Sequence, residues 1–375
     1  MITYKYQLFP NQEQQEKLWQ HANALNRLYN YFLDQKIKAY QESKISISKF
    51  DQQKQLPALK QEIPILKDIH SQVLQSVVHR LHRTYQAFFK NYSKGQGFPK
   101  FRSCRDFFGI LYPQAGFKIQ DNKFHTTVYG MIKFKKYREL QGNIKQTFIT
   151  QKDNKWFLCI TTDAEYDKQE LNNKEVGIDL GITNLVATSD GKIIKNKRHA
   201  KYFDKQINKL KSRRDTKCKK GSNMYKYLSH VIKRLHSVKS RKIKDFLHKI
   251  SKNLSSQYNV IYMEALNLKH MSEGTKTGIN RELRNSSLGT FMSYLQYKTN
   301  QVVKVNPRNT SKTCNNCGSI HSMPLNIRTY TCDCGYTEDR DINAAKNIFC
   351  LGQTITNHSY VQDLVLEAPI ALAMV

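Results

Sequence analysis

Four cysteines, Cys314, Cys317, Cys332 and Cys334, fall within 21 residues and run directly into Glu338-Asp339-Arg340-Asp341. Cys314 and Cys317 are separated by two residues and followed by Gly318; Cys332 and Cys334 are separated by one and followed by Gly335. Two thiolates on a tight turn closed by glycine form a metal knuckle, and two knuckles supply the four ligands of a tetrahedral zinc. A full set of four leaves no open position, so the zinc is expected to be structural. A redox pair is the weaker alternative, since both pairs carry the knuckle glycine. The second spacing is the irregular one, and His321 stands as a substitute ligand should Cys332 or Cys334 be displaced.

Three carboxylates invite a second metal chemistry. Asp179 lies inside the apolar run Val176-Gly-Ile-Asp-Leu, and Glu264 ends the apolar run Asn259-Val-Ile-Tyr-Met. A charge in such a strand is costly unless it is paired or binds a cation. Asp341 opens a helical stretch with Asn343, Ala344 and Ala345 in its first turn. Two strand-borne acids and one at a helix start can meet at the edge of a sheet. Their mutual repulsion is relieved by a pair of Mg²⁺ ions, which about 4 Å apart can activate water and stabilise a departing phosphodiester oxygen. Taken singly, each acid has a plainer reading: Asp341 as a helix cap, Glu264 as a strand-end acid, Asp179 as an edge or turn feature. Asp339 competes with Asp341 for the third place.

The elements that must position these groups are legible in outline. Residues 2–9 alternate and end at Pro10, reading as a strand; Asn11 is a cap for a helix over 13–40. Leu74, Val77, Val78, Leu81, Tyr85, Phe88 and Phe89 step by three and four as a helical stripe. Residues 11–93 therefore read as a small helical domain, ended by Gly95-Gln-Gly-Phe-Pro99. From there to about 163 the chain is rich in β-branched and aromatic residues with short turns, as an antiparallel sheet or small barrel that the N-terminal strand could join. Residues 164–174 read as a linker. Asp190-Gly191 marks a hairpin. Residues 200–256 are expected to be helical, 259–264 a buried strand, 286–299 a helix and 301–306 a strand; 351–375 has no assignment.

Sixty-one basic residues against 30 acidic ones give a net charge of +31, a field that favours polyanions. With 21 Tyr and 18 Phe available for base stacking, nucleic acid is the natural partner. Between Lys192 and Lys252 the chain holds 22 Lys or Arg against Asp204, Asp215 and Asp245. No apolar run reaches the length of a membrane span, and no signal peptide opens the sequence. Of eight cysteines, four are clustered and four (Cys104, Cys159, Cys218 and Cys350) are scattered, which argues for a reducing cytosol with one zinc site rather than a disulfide framework.

Several stretches together resemble the TnpB family, the RNA-guided nucleases of insertion sequences (OrfB-type) related to type V CRISPR effectors. Gly177-Ile-Asp-Leu-Gly-Ile-Thr-Asn184 is similar to the family's first RuvC motif. Asp245-Phe-Leu-His-Lys-Ile-Ser251 with Tyr262-Met-Glu-Ala-Leu-Asn267 is similar to the second. Asn306-Pro-Arg-Asn-Thr-Ser-Lys-Thr-Cys314 through Asp339-Arg-Asp-Ile-Asn-Ala-Ala-Lys-Asn347 is similar to the zinc ribbon and third motif, and Tyr6-Gln-Leu-Phe-Pro-Asn-Gln12 and Gly97-Phe-Pro-Lys-Phe101 also fit.

The resemblance implies an α/β multi-domain chain: a wedge β-barrel over 1–9 and 95–165, a helical recognition lobe over 10–94, an RNase H-like RuvC core over 170–307 and 338–350, and an inserted zinc ribbon over 308–337. It implies Asp179, Glu264 and Asp341 as Mg²⁺ ligands, Cys314, Cys317, Cys332 and Cys334 as zinc ligands, and Arg328 as an arginine that helps place the strand. It implies a guide RNA from the transposon's right end, a double-stranded DNA target cut beside a short transposon-adjacent motif, and a monomer with one RNA in the cytoplasm, associated with the nucleoid. A guide leaves sequence reading to base pairing, so few side chains read bases; Gln72, Gln75 and His79 carry groups suited to base edges. Two other functions fit the same residues: a nuclease-dead RNA-guided repressor, and a transposase of the RNase H class.

Overall fold

The computed structural model describes residues 1–165, 173–197, 199–268, 271, 277–324 and 327–366. They form two compact units, Met1–Tyr166 and Asp167–Val375. The stretch 164–174, expected as a linker, contains this division, and most of it lies outside the described residues.

In the first unit, β1 (Ile2–Phe9) buries alternate residues, Tyr4, Tyr6 and Leu8. After Pro10, Asn11 caps α1 (Gln12–Ser43) in a reciprocal box: its Oδ1 accepts from Gln14 N at 2.8 Å, and Gln14 Oε1 accepts from Asn11 N at 3.0 Å. Such a box satisfies two amides that a helix start leaves without partners. Three short helices follow, α2 (Lys49–Lys54), α3 (Leu56–Glu62) and α4 (Pro64–Lys67), and then α5 (Ser71–Lys90), which buries Val73, Leu74, Val77, Val78 and Leu81. The remainder is β2 (Ile110–Tyr112), β3 (Lys118–Gln120), β4 (Lys123–Thr126), β5 (Gly130–Lys135), β6 (Ile144–Lys152) and β7 (Lys155–Thr162). They form one antiparallel sheet in the order β2-β6-β7-β1-β5-β4-β3. The N-terminal strand thus lies inside the sheet, between β7 and β5. Helices and sheet share a single core running from Leu25, Phe32 and Leu74 to Phe108, Ile132 and Leu158.

The second unit is built on β8 (Glu175–Asp179), β9 (Asn184–Thr188), β10 (Ile193–Lys195), β11 (Val260–Glu264) and β12 (Gln301–Val305), ordered β10-β9-β8-β11-β12. The first three are antiparallel; β8, β11 and β12 are parallel. Gly191, at φ +88°, supplies the hairpin between β9 and β10. The basic stretch forms two helices, α6 (His199–Lys217) and α7 (Asn223–Gln257). Gly221 at φ +89° breaks them, and the Ser222 hydroxyl caps α7 by accepting from Tyr225 N at 3.2 Å. A further helix, α8 (Thr277–Ser286), precedes the one expected over 286–299, which is α9 (Leu288–Lys298); the two are parted at Ser287 with φ +57°. A small antiparallel pair, β13 (Thr329–Thr331) and β14 (Thr337–Asp339), leads into α10 (Arg340–Leu366). The unassigned tail is therefore helical as far as Leu366.

α10 lies directly on the sheet, and glycines permit it. A Cβ at Gly177 would stand 2.2 Å from the Ala345 carbonyl oxygen and 2.7 Å from Phe349; one at Gly352 would stand 2.0 Å from the Tyr262 ring. Gln353 donates to Glu175 at 3.3 Å, so α10 runs antiparallel to β8, its start at the strand's carboxyl end.

Candidate metal centres

In a strand, residues two apart share a face. Asp179 therefore faces the same way as Gly177, toward α10, and Glu264 the same way as Tyr262, which packs edge-on against Phe349 of α10. Tyr262 pairs with Gly177 and Met263 with Ile178 in parallel register, so the next step brings Glu264 beside Asp179. Asp341, one turn before Ala345, closes the group from above. The three acids that the sequence singled out thus neighbour one another at the carboxyl ends of two adjoining strands, though less tightly than the four cysteines. Burial first, then the charges of Glu264 and Asp341, push the Asp179 carboxyl up to about 7. Burial also raises Glu264, opposed by the Thr310 hydroxyl that donates to its Oε1.

Asp339 and Asp341 have separate tasks. Asp339 Oδ1 accepts from Asp341 N at 2.9 Å and Ile342 N at 3.3 Å, so Asp339 caps α10. Asp341 is left with its carboxylate directed to the cluster, where Oδ2 accepts from Asn184 Nδ2 at 2.8 Å. Arg328, largely exposed, brings Nη1 to 3.7 Å from Asp341 Oδ1. Asn184 and Thr310 were not singled out as site residues. Both follow a site element closely, Asn184 opening β9 and Thr310 coming after β12, but a polar side chain in a loop gives no sign of which acid it will meet.

The four cysteines converge as their spacing implied, with all ligand atoms within 4.8 Å of one another. Cys314 and Cys334 Sγ are 3.8 Å apart, Cys317 and Cys332 Sγ 3.5 Å. Zinc–sulfur bonds of about 2.3 Å in a tetrahedron place sulfurs about 3.8 Å apart, so the set fits zinc. Among the described residues it is the one group of three or more His, Cys, Asp or Glu drawn together in this way. The single-residue spacing of Cys332 and Cys334 is accommodated by Gly335 at φ +85°. His321 does not replace a cysteine; its Nε2 lies 3.2 Å from Cys332 Sγ, against the cluster.

Side chains of α10 tie this ribbon to the acids. Buried Asn343 and Asn347 donate to the Thr313 carbonyl at 2.9 and 2.7 Å, one residue before Cys314. Asn343 Oδ1 accepts from Asn315 N at 3.1 Å, and Asn347 also donates to the Thr310 carbonyl at 2.8 Å. Thr310 is thus held by α10 through its carbonyl while its hydroxyl holds Glu264.

The residues expected to read bases sit on α5. Gln72 accepts from Ala115 N at 3.0 Å, His79 Nε2 lies 3.1 Å from Gln53 Nε2, and Gln75 is exposed. Two of the three thus already have intramolecular partners.

Three family descriptions match the chain: "Helix-turn-helix domain" of the OrfB_IS605 group over residues 1–44, "Probable transposase" OrfB_IS605 over 153–275, and "Cas12f1-like, TNB domain" over 289–348. An Escherichia coli K12 protein named "Putative RNA-guided DNA endonuclease InsQ" is 27% identical over 376 residues, covering 94% of this chain and 92% of its own. A Methanocaldococcus jannaschii protein named "TnpB-like protein MJ0751" is 33% identical over 185 residues, 46% of this chain and 66% of its own. The chain is a TnpB-type protein. The solved Cas12f1–sgRNA–target DNA complex aligns over 93% of this TnpB-type chain and 99% of its own, at 17% identity and a TM-score of 0.32. Over 1–44 this chain has one strand and one uninterrupted helix, with no turn between two helices. Among the described residues no helix is long and apolar enough to cross a membrane.

Proposed function

We propose that this TnpB-type protein is an RNA-guided, Mg²⁺-dependent DNA endonuclease of the RuvC type. The observation that carries the reading is the adjacency of Asp179, Glu264 and Asp341 at the parallel strand ends beneath the start of α10. The relatives' names, which speak of RNA-guided DNA endonucleases, agree with it. In this reading the five-stranded sheet with α10 is an RNase H-like nuclease core (170–307 and 338–350) and 308–337 a structural zinc ribbon over it. Residues 1–9 and 95–165 are the wedge and 10–94 the recognition lobe. The guide is an RNA from the transposon's right end, and the target is double-stranded DNA beside a short adjacent motif. The protein acts in the cytoplasm, at the nucleoid, as a monomer with one RNA.

The three carboxylates would hold two Mg²⁺, which supply a nucleophilic hydroxide and neutralise charge on the departing oxygen. The chain's own residues do the rest. Asn184 orients Asp341, Thr310 orients Glu264, and Asp339 keeps the amides of α10 from competing for Asp341. Arg328 offers a cation at the rim of the cluster, where it can meet a phosphate.

The test is cleavage of matching double-stranded DNA by protein purified with its RNA. Wild type cuts in Mg²⁺, whereas Asp179→Ala retains RNA and target but does not cut. Normal cutting by Asp179→Ala would remove the carboxylate site; a wild type that binds RNA and target without cutting would make the protein a repressor.

A further inference from the structure

In the first unit, the end of α1, the turn before α2 and the last turns of α5 enclose a cavity of about 880 Å³. Its wall is unusually rich in rings for a surface feature. Phe50 is 62% exposed, Phe89 69%, Tyr40 59% and Phe98 46%. Isolated apolar residues on a surface need no explanation, but a concave group of this kind marks a binding site. Tyr85 and Phe88 form its floor, each meeting Phe98 edge-on with centroids 5.6 and 5.3 Å apart. The outer rings Phe50, Tyr40 and Phe89 stay largely exposed above this base, Tyr40 with the Lys44 ammonium 5.2 Å from its ring centroid.

The charges at this cavity have one sign. Lys36 lies within it, 5.5 Å above the Tyr85 ring and donating to the Ile47 carbonyl; Lys49 stands 4.7 Å over Phe50. No carboxylate is among the residues that line it. Asp51 is the acid near this wall: it acts on Lys36 from the cap of α2, where its Oδ2 is engaged by Ser48 N at 3.1 Å and Ser48 Oγ at 2.7 Å. Exposed aromatic rings bordered by ammonium groups match a nucleotide: the base stacks and the phosphate meets the cations. An amphipathic protein helix would fill the apolar wall but leave the lysines without counter-charges.

We propose that this cavity binds unpaired bases of an RNA. RNA rather than DNA is favoured by the cost of access. Loops and bulges of a folded RNA present their bases already unstacked, whereas a base in duplex DNA must first be flipped out at a cost of a few kcal/mol. The site is separate from the carboxylates and does not depend on cleavage.

The experiment uses the full-length chain freed of RNA by high salt. Fluorescence anisotropy compares an RNA hairpin carrying a three-base bulge, the same hairpin without the bulge, and a fully paired DNA hairpin of the same length. The Phe50→Ala/Phe89→Ala variant alters two exposed rings, so folding should be spared, and circular dichroism checks it. It is expected to weaken binding of the bulged RNA by about tenfold or more, the effect of losing one or two stacked bases, and to leave the unbulged RNA within about twofold. Phe50→Trp should restore binding, its indole fluorescence quenched by the bulged RNA alone. Equal losses on bulged and unbulged RNA, no loss on either, or equal quenching by the DNA hairpin would overturn the proposal. So would quenching by an amphipathic helical peptide and not by RNA. All three probes are read without Mg²⁺, where no cleavage occurs, which keeps this outcome distinct from failure of the nuclease reading.

Discussion

Asp179 sets the pH behaviour of the site. Its folded value of about 7 lies well above the ordinary 3.8. The folded chain therefore holds a proton that the unfolded chain releases between about pH 4 and 7. Because the folded state binds more protons in that window, stability falls as pH rises through it and is level above about 7. Without Mg²⁺, Asp179→Asn should stabilise the protein at pH 8 by on the order of 1–3 kcal/mol, allowing for coupling to the other acids, and should make little difference at pH 4. Thermal unfolding at the two pH values checks this, and a variant no more stable at pH 8 would contradict it. Cleavage at limiting Mg²⁺ should fall as pH drops below about 7, with a midpoint that moves lower as Mg²⁺ is raised, since cation and proton compete for the same oxygens. Thr310 offers a second test at this scale. Thr310→Val removes the hydroxyl that lowers Glu264, leaving a buried carboxylate without its donor. Cleavage should fall about tenfold or more, a cost of roughly 1.4 kcal/mol or above, with Thr310→Ser close to wild type; a valine variant of full activity would leave Thr310 no positioning role. The acids themselves were legible because apolar strands do not tolerate charges without reason. Their supporting donors were not, since Asn184 and Thr310 look like ordinary loop and strand-start residues until the fold assigns them partners.

At the scale of elements, α10 is shared by two centres. Its first turn carries Asp341, successive turns carry Asn343 and Asn347 bonded to the knuckle backbone, and its body presses on β8 through the space at Gly177. Losing the metal should therefore be felt at the acids. Removal of zinc by a thiol-selective chelator, or Cys314→Ser, should expose the ribbon to proteolysis and abolish cleavage even with Mg²⁺ in excess. The N-terminal unit, whose core is its own, should keep its protection. Intact cleavage after zinc loss, with the ribbon digested, would show that the stitching does not position Asp341. The boundaries of the elements show what a sequence conceals. The capped start of α1 was readable from Asn11, though not its box partner Gln14, and β1 from its alternation. The break between α6 and α7 turned on Gly221 followed by a serine cap, inside a run of lysines whose charge masks the period. The break at Ser287 required a left-handed residue that is not glycine, for which local sequence gives little warning. The extension of α10 past residue 350 follows from Phe349 and Gly352 packing on Tyr262, a tertiary contact with no local signature.

Across the whole molecule, the proposed function would have charge and aromatic surface divide the work of holding nucleic acid. The net +31 and the lysine-rich pair α6 and α7 provide attraction that is indifferent to sequence. Each phosphate neutralised releases counterions, so log affinity falls with log salt by about 0.9 per contact on a duplex and about 0.7 on a single strand. Lys219, Lys220, Lys233 and Arg234 are exposed on these helices and the turn between them. Changing all four to glutamine should weaken RNA binding at low salt and reduce the slope by up to about three units if every one meets a phosphate. The ring-lined cavity should behave in the opposite way. Stacking displaces no counterions, so Phe50→Ala/Phe89→Ala should lower affinity for bulged RNA at every salt concentration and leave the slope as it was. Titrations of both variants from 50 to 400 mM salt, on the order of one decade, separate the two contributions. An unchanged slope in the four-fold variant would mean that α6 and α7 present a solvated basic face and that the phosphates are met elsewhere. The two variants combined should lose affinity additively, because the substitutions lie in different compact units and share no partner.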